Sequence, residues 1–233
     1  VLEGVAGPEY PNPLPHARAG QAALDSLLAA CRADAGCHAA YPDLASRFPL
    51  LLARLEAAPA RVQLPGSAGP PVPLGHEELA YGLHLMLFSN ATSPALPFLL
   101  WRAYAGDYVP LANVLAQVTA GLAAQIDLGM QLSVTCMEDA PMYDARDISR
   151  ETTGTYLRGL MAAATKEQCA RWPVHPTTPL PVVPLDVPAL LLSGAYDPAT
   201  PRRFAEAVAA RMPRSVHLTV PYGAHVTIDR CID

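Results

Sequence analysis

The sequence predicts an α/β protein in which a long helical stretch precedes the last strand–helix–strand unit of a parallel sheet. Between residues 16 and 169 the apolar residues recur mainly at helical spacing. After residue 187 the period changes. The continuous apolar run VPALLLSG is typical of a strand buried on both faces, and one helical stripe separates it from the alternating run SVHLTVP.

The composition indicates a folded chain without a nucleic-acid partner. Its 233 residues suffice for a sizeable core, and 51% of them are apolar. The apolar runs all fall short of the roughly twenty residues that a membrane span requires, so we expect no membrane span. The formal net charge is −5, and the basic residues are scattered rather than clustered. A polyanionic partner is therefore not expected.

The elements follow in chain order. VLEGV reads as the end of a strand, and the apolar spacing over 16–55 predicts two helices joined by a short polar turn. RVQLPGSAGPPVPL predicts a hairpin or a loop, and 126–148 is ambiguous. Further helices are predicted at 77–88, 94–104, 109–125, 152–169 and 202–212.

Three parts of the chain follow from these elements. Residues 1–14 are the end of a core strand with its loop, 15–180 form a helical domain, and 181–233 form the closing part of the sheet domain. Six prolines between 172 and 188 mark the loop before the last part. The chain opens without Met or a secretory signal, and HVTIDRCID reads as an uncapped helix. We expect a fragment cut at both sides.

Five cysteines lack the paired CxxC spacing of a zinc site, and HEELAYGLH lacks the spacing of HExxH, so neither a metal nor a cofactor is predicted. Cys31 and Cys37 flank a short polar turn, whereas Cys136 precedes a helical stretch that ends at Cys169. We expect two disulfides, with Cys231 left over; the alternative is buried free thiols. Disulfides imply an oxidising compartment.

An acid and a histidine follow the last two predicted strands. Asp197 comes directly after LLLSGAY, and His225 ends the turn PYGAH. Because neighbouring parallel strands lie about 5 Å apart, side chains at their carboxyl ends can touch. A carboxylate that accepts the imidazole Nδ1–H fixes the tautomer, so that Nε2 acts as general base. The alternatives are a helix-capping aspartate and a surface histidine.

The order acid then histidine matches the closing half of a Ser-Asp-His triad. The nucleophile of such a triad sits on a GxSxG turn between a strand and a helix, and the sequence contains no GxSxG. PGSAG at 65–69 lacks that context, and the serine of SGAY follows the wrong strand. Loss of such a serine typically costs on the order of a million-fold in rate, so this chain alone is expected to be inactive.

The motifs resemble those of secreted bacterial α/β-hydrolase peptidases of the tripeptidyl aminopeptidase type, relatives of proline iminopeptidase. The resemblance extends over nearly the whole chain. Its more specific parts are the cysteine-flanked helix QAALDSLLAACRADAGC and the phrase SVTCMEDAP. The remaining parts are LEGV, YPDLASRF, the GDY turn, LLLSGAYDPATP and PYGAH.

This resemblance implies an α/β-hydrolase fold fragment. Residues from about 15 to 180 would form a large helical cap, and the half-domain with the nucleophile would be absent. Asp197 would be the triad acid and His225 the triad base. The implied localisation is secreted or cell-envelope, and the implied partners are a peptide with a free N-terminus and the missing N-terminal half of the enzyme.

Glu138 and Asp139 are candidates for binding the substrate amine. An aminopeptidase must hold a free α-ammonium group, and a shielded carboxylate can do so through a charge-assisted hydrogen bond. The resemblance to iminopeptidases implies this role. The alternative is an acid pair at a helix N-terminus, where it favours the helix dipole.

The predicted function is therefore a serine hydrolase that releases N-terminal residues or short peptides. An esterase or lipase-like hydrolase uses the same machinery and is the first alternative. A non-catalytic helical binding module is the second alternative.

Overall fold

The computed structural model describes residues 1–177 and 181–227, which form two compact units. The first unit consists of Val1–Ala23 and Ile126–Asp233, and the second of Leu24–Gln125. Of the predicted C-terminal helix, residues 228–233, which include Cys231, lie outside the described residues. The predicted division into 1–14, 15–180 and 181–233 stays a prediction.

Five strands and ten α-helices are assigned within the described residues. The strands are β1 (Leu2–Glu3), β2 (Ala60–Val62), β3 (Val72–Leu74), β4 (Ala189–Gly194) and β5 (Ser215–Val220). The helices are α1 (His16–Ala33), α2 (Ala35–Ala40), α3 (Leu44–Ala57), α4 (His76–Leu87), α5 (Leu96–Tyr104), α6 (Val109–Ala123), α7 (Leu128–Val134), α8 (Ala145–Thr152), α9 (Leu160–Cys169) and α10 (Arg203–Ala209). Short 3₁₀ turns cover Ser93–Ala95 and Ala140–Met142, and a π-helical turn covers Thr135–Asp139.

A three-stranded parallel sheet organises the first unit. The strand order is β1-β4-β5, and β4 pairs Leu191 with Leu2 on one side and with His217 on the other. Helix α10 covers the sheet, where Ala205 packs with Val5 and Leu191. The α/β class predicted from the change of period is confirmed. Because all three strands run in the same direction, their carboxyl ends meet at one edge.

The second unit is helical with one hairpin. Helix α4 packs against α6, and α3 against α5. The α4–α6 approach is close, because a Cβ at Gly82 would lie 2.6 Å from Leu115 Cδ2. Strands β2 and β3 pair antiparallel, which confirms the hairpin reading of RVQLPGSAGPPVPL.

Two helix predictions were wrong. The polar turn expected between the first cysteines is the short helix α2, capped by Asp34, whose Oδ1 accepts the Cys37 N–H at 2.7 Å. The single helix expected over 152–169 is not continuous: α8 ends at Thr152, and α9 begins only at Leu160. Gly154 in that break has φ +79° and Arg158 has φ 47°, conformations that no α-helix contains. The spacing of apolar residues does not reveal these changes of backbone conformation.

Two disulfides confirm the prediction for four of the cysteines. Cys31 is bonded to Cys37 in the second unit, and Cys136 to Cys169 in the first. Within the described chain no single helix has the length and hydropathy of a membrane span, although α6 and the segment Leu128–Met142 together meet that criterion as a bent pair.

Candidate active site

A tight turn after β4 holds the Asp197 carboxylate. Its Oδ1 accepts the backbone N–H groups of Ala199 and Thr200, both at 2.8 Å, and its Oδ2 accepts the Thr200 hydroxyl at 2.9 Å. The Asp197 side chain is fully buried. The sequence DPAT folds this way because an aspartate readily bonds the backbone two and three residues further on.

A second turn, after β5, brings His225 to the same place. The Gly223 carbonyl accepts the Tyr196 N–H at 2.8 Å, which ties the two turns together. Their backbones approach so closely that a Cβ at Gly194 would lie 1.9 Å from the Ala224 carbonyl oxygen. Only glycine fits at the end of β4. This close approach sets the distance between the acid and the histidine.

The carboxylate and the imidazole are in hydrogen-bond contact. His225 Nδ1 lies 3.0 Å from Asp197 Oδ2 and 3.1 Å from Oδ1. Burial acts to raise the pKa of Asp197, but the hydrogen bond and charge of His225 and the two backbone N–H donors outweigh it, so the pKa lies below its ordinary value. Asp197 is therefore ionised at neutral pH and orients the ring through Nδ1. The catalytic roles of the two residues stay a prediction.

Thr200 is a third member of this cluster that the sequence reasoning missed. Its hydroxyl lies 3.2 Å from His225 Nδ1 while it donates to Asp197. The position of a threonine three residues after the acid was the available signal. Both the acid and the imidazole are thus held by one buried side chain.

The chain at the end of β1 packs directly against the imidazole of His225. Gly4 has φ +57°, and a Cβ there would lie 2.6 Å from His225 Cε1. Glu3 Oε2 accepts the Thr227 N–H at 2.8 Å and so holds the chain just beyond the histidine. The phrase LEGV therefore contributes to the site directly, which the sequence reasoning did not anticipate.

A second histidine, His16, lies near the pair. Its pKa is lowered to about 4, mainly by burial and also by the charge of His225, while the charge of Asp197 acts in the opposite direction. The ring centroids of His16 and Tyr10 are 6.4 Å apart. His16 is therefore neutral at physiological pH. As the first residue of a predicted helix, it gave no signal in the sequence.

A cavity of about 580 Å³ in the same unit contains the other two candidates. Glu138 and Asp139 form one wall, and apolar groups with one tyrosine ring form much of the rest. The lining residues are Ala6, Gly7, Pro8, Tyr10, Asn12, Val134, Glu138, Asp139, Met142 and Thr177. The cavity combines negative charge with apolar surface.

The environment of Asp139 favours its neutral form. Burial raises its pKa to about 6, the neighbouring Glu138 charge adds to the rise, and hydrogen bonds with Asn12 oppose it. Both acids lie in the π-helical turn that ends the helical run from α7, and Asp139 directly precedes the 3₁₀ turn Ala140–Met142 without a side-chain capping hydrogen bond. π-Helical turns are frequent at functional sites.

A disulfide and two hydrogen bonds from a lysine hold that segment in place. The Cys136–Cys169 disulfide joins it to α9. Lys166 of the same helix donates from Nζ to the carbonyl oxygens of Ala140 at 2.9 Å and Tyr143 at 3.1 Å. The acidic wall of the cavity thus rests on a fixed segment.

The serines considered earlier do not qualify as nucleophiles. Ser193 is fully buried within β4, where its hydroxyl meets His217 Nε2 at 2.9 Å, so a substrate carbonyl cannot reach it. PGSAG at 65–69 connects the two strands of the hairpin and is not a strand-to-helix turn. In 1–177 and 181–227 no three His, Cys, Asp or Glu side chains cluster closely enough to hold a metal ion.

An acid–histidine pair at the carboxyl edge of a parallel sheet is typical of enzymes with open α/β folds. Residues 157–233 match the model of an α/β-hydrolase family described as TAP-like protein. The matched part contains both Asp197 and His225. No curated protein matches the chain. The family match supports the predicted similarity to TAP-like α/β hydrolases and indicates a hydrolase.

Proposed function

We propose that the protein is a serine hydrolase of the Ser-Asp-His type that releases N-terminal residues or short peptides. The observation that carries the proposal is the contact between the buried, ionised Asp197 carboxylate and His225 Nδ1. The nucleophilic serine would come from polypeptide that this sequence does not contain. The family match over 157–233 supports the hydrolase class.

The acid–base pair would move the protons of acyl transfer. His225 Nε2 takes the serine proton as the serine oxygen bonds to the substrate carbonyl carbon, and Asp197 stabilises the resulting imidazolium. When the C–N bond breaks, the imidazolium gives this proton to the leaving amine. Water then attacks the acyl-enzyme with the same proton transfers, which releases the acid product and regenerates the serine.

The acidic wall of the cavity would bind the α-ammonium group of the substrate. Glu138 and Asp139 lie together on a fixed segment, and the pKa of Asp139 is raised to about 6. A bound ammonium supplies the positive charge that this site lacks, so binding would favour ionised Asp139. The apolar lining would contact the first side chains of the peptide.

The protein would work outside the cytoplasm. Its two disulfides are compatible with an oxidising compartment, where such bonds persist. This localisation agrees with a peptidase that acts on extracellular peptides.

The test uses the complete coding region, read upstream of Val1 and expressed as one protein. We expect a strand–GxSxG–helix segment there, labelling by a serine-directed fluorophosphonate, and release of a reporter from aminoacyl or tripeptidyl substrates. A complete protein that is neither labelled nor active contradicts the proposal and leaves the non-catalytic binding module as the better reading.

Substrate type separates a peptidase from an esterase. For a free-amine peptide substrate, Glu138→Gln is expected to raise KM about tenfold, because a charge-assisted hydrogen bond is lost. For the N-acetylated peptide and for a simple ester, the same variant should change nothing. Asp186→Asn removes an exposed carboxylate and is the matched control. Equal loss on all substrates, or rapid ester turnover alone, would favour the esterase.

A further inference from the structure

Tyr10 is the side chain that connects the loop after β1 with the turn that holds Asp197. Its hydroxyl is buried and donates to the Ala199 carbonyl oxygen at 2.9 Å, across 189 residues of sequence. We propose that Tyr10 is a positioning residue, which holds the 197–200 turn so that the Asp197 carboxylate faces His225. Its relevance to catalysis rests on the proposed function.

Peptide geometry explains how a tyrosine can act on the carboxylate without touching it. The Ala199 carbonyl and the Thr200 N–H belong to one planar trans peptide unit, so they point in opposite directions. Tyr10 binds the carbonyl end, and Asp197 Oδ1 accepts from the N–H end at 2.8 Å. The hydroxyl therefore fixes the plane of the peptide that orients Asp197. Hydrogen bonds in such a chain also polarise one another.

The surroundings of Tyr10 keep its ring in place and its hydroxyl protonated. Phe204 meets the ring edge-to-face, with centroids 4.8 Å apart. Burial raises the pKa of Tyr10 well above its ordinary value, and the negative charge of Asp197 adds to the rise. The hydroxyl is therefore a donor throughout the physiological pH range.

Tyr10 also lines the cavity that contains Glu138 and Asp139. One residue thus contributes to the wall of the substrate cavity and supports the turn of the catalytic acid. A displacement of the ring would be transmitted to the Ala199 peptide. This shared position distinguishes Tyr10 from a tyrosine that only fills the core.

The experiment is hydrogen exchange, followed by ¹H–¹⁵N NMR in the full chain, of the Thr200 amide and of the His225 Nδ1 proton that faces Asp197. In Tyr10→Phe, which deletes only the hydroxyl, we expect the His225 Nδ1 proton to exchange about threefold faster, because the carboxylate that accepts it is less firmly held. Thr200 exchange should accelerate about tenfold, as expected for loss of about 1.4 kcal/mol of local protection. Asp197→Asn gives the reference for complete loss of the carboxylate.

Tyr143→Phe is the matched control, because Tyr143 is a buried tyrosine of the same unit and the change is chemically identical. It should leave both readouts unchanged. An unchanged exchange rate of the His225 Nδ1 proton in a folded Tyr10→Phe overturns the proposal. If Tyr10→Phe does not fold, Phe204→Leu decides: it keeps the hydroxyl but loosens the ring, and it must accelerate exchange of the His225 Nδ1 proton. These readouts need no turnover, so they are independent of whether the proposed peptidase activity is found.

Discussion

Asp197 and Asp139 are shielded carboxylates of the same compact unit, yet their pKa values move in opposite directions. Asp197 is the more deeply buried, but two backbone N–H groups, a hydroxyl and an imidazole donate to it, and its pKa falls. Burial raises the pKa of Asp139, the charge of Glu138 adds to the rise, and the pKa reaches about 6. Asp197 shows that several hydrogen-bond donors can outweigh deep burial, whereas Asp139 shows that burial and a neighbouring charge raise the pKa of an acid with fewer donors.

The difference in pKa fits the two roles proposed for these acids. An acid that orients a histidine must remain ionised before, during and after the reaction, so its charge is satisfied by the protein itself. An acid that binds a cation works best when the protein gives it few hydrogen-bond donors and no positive charge, because the ligand then supplies them. The cost of the second arrangement is a less stable folded state at neutral pH.

The largest effect is expected for Asp197, the acid whose charge is fully hydrogen-bonded within the protein. Asp197→Asn in the complete hydrolase should lower kcat about 10⁴-fold, because the amide no longer fixes the tautomer in which Nε2 accepts the proton. Steady-state kinetics with a tripeptidyl reporter measure this. Asp186→Asn, the exposed control, should keep full activity. A loss of less than tenfold in Asp197→Asn would remove Asp197 from the proposed triad.

Removal of the Cys136–Cys169 disulfide should come next in size. The paired change Cys136→Ser and Cys169→Ser frees a loop of 33 residues and should lower the free energy of unfolding by about 3–4 kcal/mol. Chemical denaturation measures this. The corresponding loss at Cys31–Cys37, with a separation of 6, should be smaller, about 2 kcal/mol. An equal loss at both bridges would contradict the dependence on loop length.

Asp139→Asn should stabilise the protein above pH 6. The folded-state pKa of about 6 exceeds the ordinary value of 3.8, so the contribution of Asp139 to stability is fully present below about pH 4 and is lost as pH rises through 6. After allowance for partial solvent screening, the gain at pH 7.5 should be about 1–2 kcal/mol. Thermal melts at pH 4 and pH 7.5 should show the gain only at the higher pH. A gain of the same size at both values would rule out this titration as its cause.

Glu138→Gln gives the smallest expected shift and separates charge from burial. Without the neighbouring negative charge, the pKa of Asp139 should fall by about half a unit but should stay above its ordinary value, because burial remains. Carboxyl ¹³C titration of Asp139 measures it. The pKa of Asp197 should not change. A return of the Asp139 pKa to 3.8 would mean that burial contributes nothing.

The Asp197–His225 contact could be predicted because both residues follow apolar strands within a short stretch of chain. Parallel pairing then leaves little choice about where their side chains lie. Tyr10 could not be predicted in the same way, because its contact spans 189 residues and ends on a backbone carbonyl, which no residue type marks. The same holds for Glu3, which reaches Thr227 across 224 residues.

Apolar periodicity gave the helical part of the fold but not its interruptions. The reversal around Gly154 and the π-helical turn at Thr135–Asp139 depend on backbone angles and on one added residue per turn. Neither changes the apolar spacing enough to be seen. The position of Glu138 and Asp139 within the helical run therefore required the structure.

Lys166 is the single lysine in the sequence, and its ammonium group is bonded to the two carbonyls that follow the acidic wall of the cavity. An amine-directed acylating reagent thus has one side-chain target. Acylation of Lys166 requires its hydrogen bonds to the Ala140 and Tyr143 carbonyls to break. The rate of labelling at Lys166 would therefore report how often that wall opens. A ligand that stabilises the closed wall would slow the labelling of Lys166, so mass spectrometry could detect binding without a reporter substrate.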